Sequence, residues 1–433
     1  MRRRLALAAF GVTAALAAPA LHAQSGPRVL RMAWWGGAAR HRATLDAIAL
    51  FEKRTPGVKI KAEYMGFNGY LERLTAQVAG GSEPDLMQIN WAWLAMFSKR
   101  GNGFTNLDAH AALLPMAQFS EADLAMGRVA GKLNAMPVSY TARVLLWNET
   151  TFAKAGLALP RTWDELFATG ARMRRALGER YYPLDGELYD MMLLAQTYVQ
   201  QRYGTPFVDP KEARVGMSAE AALTWVQTYR KLIDQQVGTP LPLRASLGGA
   251  EKPTEQQPDW SAGRWAGNYT WDSVIGLRGS TLPPTQKLAL GEFPTLPGAV
   301  DSGYFGRPAL MFAIGRNSRQ PALAAELMAH LLADPEAARV LGRTRGVPAA
   351  RAPFEALLRN GALPPLELQA HEQIQRQRRS PMGITQPHPL FEHARLLRLM
   401  REVFETVAYG KTSDQAAARR LVDEGNAMLR RIR

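Results

Sequence analysis

An ordered succession of strand and helix patterns near the start of the chain constrains its fold more than any other feature. Val29 to Trp35 form a nearly continuous apolar run, which is typical of a buried parallel strand. Four further segments follow with alternating periodicities: helix 44–54, strand 58–64, helix 70–78 and strand 86–89. This β-α-β-α-β order predicts an α/β fold in which helices cover a parallel sheet.

Helix patterns dominate the rest of the chain. Thr162 and Glu165 have the spacing of a capping box, which marks the start of a helix. Gly410 interrupts the helical pattern close to the C-terminus. The remaining predictions are a helix after Ser218, helices at 335–342, 390–409 and 413–432, and an irregular Gly- and Pro-rich loop at 238–258.

The first 23 residues have the features of a secretory signal peptide. Arginines at positions 2–4 precede an apolar stretch over 5–18, and cleavage is expected after Ala20 or Ala23. A membrane anchor is the alternative, but the apolar stretch is shorter than the roughly 18 residues that a spanning helix needs. We therefore expect an exported, periplasmic protein. Because the chain has 0 Cys, it cannot carry a lipid on an N-terminal Cys.

The charge balance restricts the possible partners. Lys and Arg number 53 and Asp and Glu 38, so the formal net charge is +15. A basic exported protein suits nucleic acid, an anionic membrane surface or acidic small molecules. The densest basic segment, 373–379, mixes arginines with glutamines and fits a solvated helix face, so we expect no nucleic-acid partner. The absence of Cys also excludes disulfides and Cys-ligated metal centres, and we expect no metal and no cofactor.

Common catalytic motifs are missing from the sequence. It contains neither a G-x-S-x-G nucleophile elbow nor an H-E-x-x-H zinc helix. The triplet at 410–412 looks like the end of a phosphate loop, but Glu405 stands where the first Gly of that loop belongs. Two carboxylates that meet only through folding leave no sequence motif, so a secreted enzyme stays open as an alternative.

Aromatic residues cluster where strands are expected to end. Ligands of open α/β sheets bind outside the carboxyl ends of the strands, and aromatic faces there can cover sugar rings. Core packing is the alternative use for each of these side chains. The clusters, with a polar neighbour, contain Trp34, Trp35, Asn90, Trp91, Trp93, Tyr269 and Trp271.

Basic residues lie beside these aromatic clusters. Arg40 and His41 follow the first cluster, whereas Arg143 and Arg307 stand within apolar segments. A guanidinium in apolar surroundings needs a partner, which is either a structural acid or a bound anion. Both readings stay open at the level of the sequence.

The sequence resembles family 1 extracellular solute-binding proteins, the periplasmic sugar receptors of ABC importers. The similarity covers most of residues 28–348. It rests on Met32-Ala33-Trp34-Trp35-Gly36-Gly37, Arg40-His41, Gln77-Val78-Ala79-Gly80-Gly81, Pro84-Asp85-Leu86-Met87-Gln88, Gly131-Lys132-Leu133-Asn134-Ala135-Met136-Pro137 and Pro160-Arg161-Thr162-Trp163-Asp164-Glu165-Leu166.

Within that family, the chain is most similar to receptors for oligogalacturonides, the fragments of pectin. Arg307 departs from the pattern, because a Lys is expected there, and residues 238–257 and 349–380 do not match readily. The matching segments are Ala62-Glu63-Tyr64, Gly69-Tyr70-Leu71, Asn90-Trp91-Ala92-Trp93-Leu94, Thr141-Ala142-Arg143-Val144, Gly263-Arg264-Trp265-Ala266-Gly267 with Trp271, and Arg345-Gly346-Val347-Pro348.

The resemblance implies two α/β lobes joined by a hinge of crossing segments, with a sugar-binding cleft between them. The implied lobes are 24–137 with 307–335, and 138–306 with 336–433, and the crossings lie near 136–139, 305–309 and 334–348. It also implies a monomeric, non-enzymatic receptor that delivers an acidic oligosaccharide to membrane permease subunits. The implied ligand-binding residues are Trp34, Trp35, Arg40, His41, Asn90, Trp91, Trp93, Ser139, Arg143, Tyr269, Trp271 and Arg307.

Three alternatives remain at this stage. The first is a receptor for a neutral oligosaccharide or a polyol phosphate, in which the arginines are structural. The second is a secreted pectin-acting enzyme with two lobes. The third is a chemosensory subunit that acts without import.

Overall fold

The computed structural model of the protein describes residues 27–250 and 252–433. The predicted signal peptide, residues 1–23, lies outside the described residues. Within the described ranges the strands are β1 Arg28–Trp35, β2 Val58–Met65, β3 Leu86–Ile89, β4 Arg128–Val129, β5 Lys132–Leu133, β6 Met136–Asn148, β7 Gly267–Trp271, β8 Leu288–Leu290 and β9 Gly306–Ile314.

Helices surround these strands and make up much of the C-terminal half. The α-helices are α1 Ala38–Arg54, α2 Tyr70–Ala79, α3 Trp93–Phe97, α4 Glu121–Ala125, α5 Glu149–Lys154, α6 Trp163–Leu177, α7 Leu188–Tyr203, α8 Ala219–Asp234, α9 Leu241–Ser246, α10 Pro258–Ser261, α11 Ile275–Ser280, α12 Pro321–Ala333, α13 Pro335–Leu341, α14 Arg351–Arg359, α15 Pro365–Arg379, α16 Ala394–Ala408 and α17 Asp414–Ile432. Short 3-10 turns occur at Leu107–Leu113, Met116–Gln118, Thr254–Gln256, Asp272–Val274 and Pro389–Glu392.

The predicted α/β architecture is confirmed. The strands form a seven-stranded sheet in the order β2-β1-β3-β9-β6-β7, with β8 also paired to β6. Strand β1 pairs in parallel with β2 and β3, as the β-α-β-α-β pattern predicts. Strands β9, β6, β7 and β8 join the sheet through antiparallel pairs, so the complete sheet is mixed.

Local sequence rules explain where the helices begin and end. The Thr162 hydroxyl accepts from the Glu165 N–H while the Glu165 carboxylate accepts from the Thr162 N–H, which completes the predicted capping box. Ser218 caps α8 as expected, and Gly410 follows α16 with a φ of 66°. The segment 238–258 is not irregular throughout, because α9 forms within it.

Buried apolar residues form four clusters, and these clusters fall into two groups that draw on different segments of the chain. One group draws on residues 30–136 and 310–350, and the other on residues 142–305 and 370–432. Strand β6 contributes to both groups, with Met136 in the first and Leu145 in the second. Strand β9 pairs with β6, and the segment around Pro348 also runs beside β6, because Ser139 and Pro348 form an isolated antiparallel β-bridge.

Neither a membrane-spanning helix nor a cluster of metal ligands occurs among the described residues. No helix there is both long and apolar enough to cross a membrane. The same part of the chain holds no group of three or more His, Asp or Glu side chains that is arranged to hold a metal ion.

Candidate functional site

The first aromatic cluster lies at the carboxyl end of β1 and continues into α1. Trp34 is fully buried, stacks on Tyr64 with ring centroids 5.1 Å apart, and donates its Nε1–H to His41 Nδ1 at 3.1 Å. His41 also contacts the Tyr64 ring at 4.5 Å. Burial, together with the positive charges of Arg40 and Arg345, lowers the pKa of His41.

A second aromatic group joins the ends of β1 and β3. Trp35 contacts Tyr70 at 5.0 Å and Trp93 at 5.1 Å between ring centroids, and Phe67 flanks it at 5.8 Å. Trp35 and Trp93 are each 6 % exposed. The neighbouring Asn90 is only half-buried, and its side-chain oxygen accepts from the Ala92 N–H at 3.0 Å.

Trp91, from the same loop as Trp93, points into the core. It is 1 % exposed, and its Nε1–H donates to the Met126 carbonyl at 3.1 Å. The side chain therefore offers no surface to a ligand in this conformation, and its role here is to fix the loop after β3.

Arg40 and Arg345 lie together where β1 and β3 end. Arg40 donates from Nε to the Thr344 carbonyl at 2.8 Å and from Nη1 to the Trp35 carbonyl at 2.9 Å. Arg345 donates from Nε to Gln88 Oε1 and from Nη2 to Thr44 Oγ1, each at 2.8 Å. Burial lowers the pKa of Arg40, and burial together with the charge of Arg40 lowers the pKa of Arg345.

Arg143 is held in a buried ion pair. Its side chain is 2 % exposed, and Nη1 donates to Asp190 Oδ1 at 2.6 Å and to the Tyr269 carbonyl at 3.1 Å. Burial opposes the charged form, but Asp190 raises the pKa of Arg143 above its usual value. Tyr269, which is fully buried, and Trp271 both lie against the guanidinium, whose Cζ is 5.5 and 4.5 Å from the two ring centroids.

Arg307 is also paired with a carboxylate. Its Nε donates to Glu392 Oε1 at 2.7 Å, and both side chains are largely buried. The Arg307 guanidinium lies 4.7 Å from the ring centroid of Trp271. Trp271, which is half-buried, therefore sits between two guanidinium groups that are both neutralised by acids.

The crossing segments place polar groups between the two cores. Ser139 is 1 % exposed, and its hydroxyl has no hydrogen-bond partner among the described residues. Thr141 donates to Asp272, whose carboxylate also accepts from the Ala142 N–H at 3.0 Å. Burial raises the pKa of Asp272 to about 6.

A cavity of about 430 Å³ opens beside these crossing segments. Tyr140 and Asp272 line it together with residues 117–120 and with His371, Ile374, Gln375, Arg378 and Arg379 of α15. Across it, Arg378 donates to Asp123 Oδ1 at 2.6 Å, and its guanidinium lies 4.2 Å from the Tyr140 ring. This ion pair links the α4 region to α15, which belong to different groups of cores.

Apart from Ser139, which lies on a crossing segment, the predicted residues fall into two assemblies rather than one. Those at the ends of β1 and β3 form the first, and those around Trp271 form the second. Helix α3, which begins at Trp93, packs against the 3-10 turn Pro389–Glu392 and so brings the two assemblies toward each other. The first assembly offers half-buried Arg40 and His41 beside aromatic rings, and the second offers the half-buried ring of Trp271, so aromatic rings of the kind that pack against sugars lie in both.

Sequence reasoning missed several residues of this region. Arg345 lies in the segment Arg345-Gly346-Val347-Pro348 that carries the resemblance, but it is not among the residues predicted to bind a ligand. Asp190 and Glu392, the acids that neutralise two of the predicted arginines, carry no motif of their own. The residues that precede Arg345, Arg343 and Thr344, are polar, so the sequence does not indicate that the Arg345 side chain is buried.

Comparison with known proteins places the chain in a family. Residues 37–338 match the family described as bacterial extracellular solute-binding protein. This stretch is more than half of the 433 residues, so the chain belongs to that family.

Solved structures align over nearly the whole chain. A periplasmic oligogalacturonide binding protein from Yersinia enterocolitica, solved with saturated digalacturonic acid, is 36 % identical, with a TM-score of 0.83 and coverage of 93 % of this chain and 99 % of that one. A periplasmic solute binding protein from Pectobacterium atrosepticum is also 36 % identical, with a TM-score of 0.87 and coverage of 94 % and 99 %. A structure described as a de novo designed cysteine esterase aligns at 36 % identity, with a TM-score of 0.86 and coverage of 94 % and 99 %.

The curated relatives match over a shorter stretch. Binding proteins from Brucella abortus are 29 % identical over 192 residues, which is 44 % of this chain. The chain spans about half the length of these relatives, 46 %.

Proposed function

We propose that this chain is the periplasmic substrate-binding component of an ABC importer that takes up oligogalacturonides or closely related acidic oligosaccharides. The observation that carries this proposal is the 36 % identity, over 93 % of the chain, to the Yersinia protein that was solved with digalacturonic acid. The formal net charge of +15, which becomes 15 − 3 = 12 without the three arginines of the predicted signal peptide, and the basic residues beside aromatic rings support a ligand that carries carboxylates.

The two groups of cores correspond, in this proposal, to two lobes. We assign residues 27–137 and 307–350 to one lobe, because Ala337 and Ala350 pack in its core, and 138–306 with helices α15 to α17 to the other. Residues 336–350 thus move to the first lobe from the second, where the resemblance had placed them. Strands β6 and β9, with the segment around Pro348, would then form the hinge. Closure of the lobes around the sugar would bury the ligand and present a new surface to the permease.

Side-chain exposure distinguishes the residues that we propose to contact the ligand from the buried residues that hold them in place. Arg40, His41, Asn90 and Trp271 keep part of their surface exposed, so they can touch a sugar directly. The aromatic faces of Trp35 and Trp93 would complete the platform once the lobes rearrange. Behind them, the side chains that hold the site in shape are Trp34, Trp91, Ser139, Arg143, Tyr269 and Arg307.

The state of the acids near the second assembly supports binding rather than hydrolysis. Cleavage of a glycosidic bond uses two carboxyl groups that face the substrate. Asp190 and Glu392 are each held by an arginine at 2.6 and 2.7 Å, which commits them to ion pairs. The third acid nearby, Asp272, has one carboxylate oxygen that accepts from both the Thr141 hydroxyl and the Ala142 N–H. We propose that the chain is not an enzyme.

A thermal-shift screen tests the ligand class. A ligand that binds only the folded state at about 100 times its Kd stabilises the protein by about 2.7 kcal/mol, which raises the melting temperature. We expect digalacturonate and trigalacturonate to raise it, and maltose and a hexitol phosphate to leave it unchanged. A rise with maltose alone would contradict the proposal. Formation of monomer from digalacturonate, followed by chromatography, would favour the enzyme instead.

A further inference from the structure

Arg345 differs from the other buried arginines of the described residues. Arg143, Arg244 and Arg307 each pair with a carboxylate, at 2.6, 2.8 and 2.7 Å. Arg345 is 7 % exposed, yet its partners Gln88 and Thr44 are neutral. Its Nη1 has no acceptor anywhere in the part of the chain that the structure describes. A buried positive charge therefore stands here without a compensating negative one.

Arg40 adds a second positive charge at the same place. Its two described hydrogen bonds go to the carbonyl groups of Thr344 and Trp35, and no carboxylate among the described residues lies within ion-pair distance. The groups are tied together, because Thr44 accepts from Arg345 and donates to the Arg40 carbonyl at 2.7 Å. The Arg345 guanidinium thus lies against the first turns of α1.

The N-terminus of α1 strengthens the positive potential. This helix has 17 residues, its N-cap residue Gly37 has no side chain that could cap it, and its first turn contains no acid. The first N–H groups of a helix lack partners within the helix and carry a partial positive charge. A Cβ added to Gly36 would lie 2.5 Å from Arg40 Cδ, so the glycine lets the Arg40 side chain fold back over the end of β1.

The energetic consequence of this arrangement favours an anion. Two like charges in a partly dehydrated site repel each other, and neutral hydrogen-bond acceptors compensate only part of the desolvation cost. An anion that accepts from both guanidinium groups removes the repulsion and forms charge-assisted hydrogen bonds. Arg143 and Arg307 gain less from such a ligand, because Asp190 and Glu392 already neutralise them.

We propose that Arg40 and Arg345, together with the N-terminus of α1, form the subsite that receives a carboxylate of the acidic ligand. This inference rests on the proposed function and names the residues that bind the negative charge of the ligand. The subsite lies at the carboxyl ends of β1 and β3, where an open α/β sheet binds its ligands. A phosphate group has the same hydrogen-bonding chemistry, so the test includes a phosphorylated sugar alcohol.

Calorimetry with a charged ligand and its neutral counterpart tests this subsite. The Arg40→Met protein keeps most of the side-chain bulk but loses the charge, and Gly36→Ala displaces Arg40 without removing it. We expect each to weaken digalacturonate at least tenfold, since a charge-assisted contact is worth about that much. Binding of the methyl diester of digalacturonate, which lacks the charges, should change less than about threefold. Arg345→Gln should behave like Arg40→Met where circular dichroism shows that it folds.

Arg42→Gln is the matched control, because Arg42 lies on the same helix, is exposed and makes no described ion pair. It should bind digalacturonate as the wild type does. If the wild type binds digalacturonate and Arg40→Met and Gly36→Ala bind it equally well, the subsite is refuted while the proposed function stands. If the wild type does not bind digalacturonate at all, the proposed function fails as well. Tighter, Arg40-dependent binding of a hexitol phosphate would overturn the assignment to a carboxylate.

Discussion

Replacement of Arg143 by Met tests whether this buried arginine is structural. Asp190, the partner at 2.6 Å, is itself only 8 % exposed. Apart from Arg143, the side chain that donates to the Asp190 carboxylate is Asn268, at 3.3 Å. The substitution therefore leaves a carboxylate buried with one weak hydrogen bond.

The expected loss is large for a single substitution. Removal of one member of a buried ion pair costs about 3–5 kcal/mol, because the remaining charge stays dehydrated. The Arg143 Cζ also lies 4.5 Å from the Trp271 ring centroid, and loss of this cation–π contact adds to the cost. We expect Arg143→Met to lower the free energy of unfolding by about that amount.

Urea unfolding, followed by circular dichroism, measures this free energy. The exposed pair Arg420–Glu424, whose side chains are 39 % and 48 % exposed, supplies the control. Arg420→Gln should cost no more than about 0.5 kcal/mol. The double variant Arg143→Met with Asp190→Leu should regain most of the stability, because it leaves no charge unpaired.

One combination of results would contradict a structural role for Arg143. If Arg143→Met unfolds within about 1 kcal/mol of the wild type but binds digalacturonate at least tenfold more weakly, Arg143 contacts the ligand and the structural reading is refuted.

Three further substitutions probe the site. Burial raises the pKa of Asp272 to about 6, above the usual value near 4, so the folded state binds this proton more tightly and stability falls as the pH rises from about 4 to 6. Asp272→Asn should lack that decline when melting temperature is measured against pH. Trp271→Ala removes a half-buried ring that lies between two guanidinium groups; it should weaken digalacturonate by about tenfold, on the scale of aromatic stacking, in calorimetry. Arg378→Gln breaks the 2.6 Å ion pair with Asp123; small-angle scattering should show a larger radius of gyration for the free protein, and an unchanged radius would contradict a role in closure.

The sequence predicts those parts of the fold that are determined by residues close to one another along the chain. Strand β3 has the predicted bounds, and the capping box at Thr162 forms as expected, because period and cap chemistry are local. Helix α1 begins at Ala38 rather than at Thr44, since the alanines at its start favour helix but lack an apolar period. Likewise, α9 forms inside a Gly- and Pro-rich segment whose composition indicated a loop.

The site is harder to predict because its partners are distant in sequence. The context of Arg143 and Arg307 showed that each needs an anion, but their acids lie 47 and 85 residues away and carry no motif. Arg40 contacts Thr344, which is 304 residues away and adjacent to Arg345. Only the folded structure shows which arginines pair with a carboxylate of the protein and which do not.

Calorimetry of the wild-type protein at fixed salt tests whether the ligand is recognised by its carboxylates. The ligands are digalacturonate and galactobiose, which has the same sugar backbone with hydroxymethyl groups in place of the carboxylates. We expect digalacturonate to bind at least tenfold more tightly, because charge-assisted hydrogen bonds to arginine depend on the carboxylates. Equal affinities for the two sugars, or tighter binding of galactobiose, would contradict an acidic-oligosaccharide receptor.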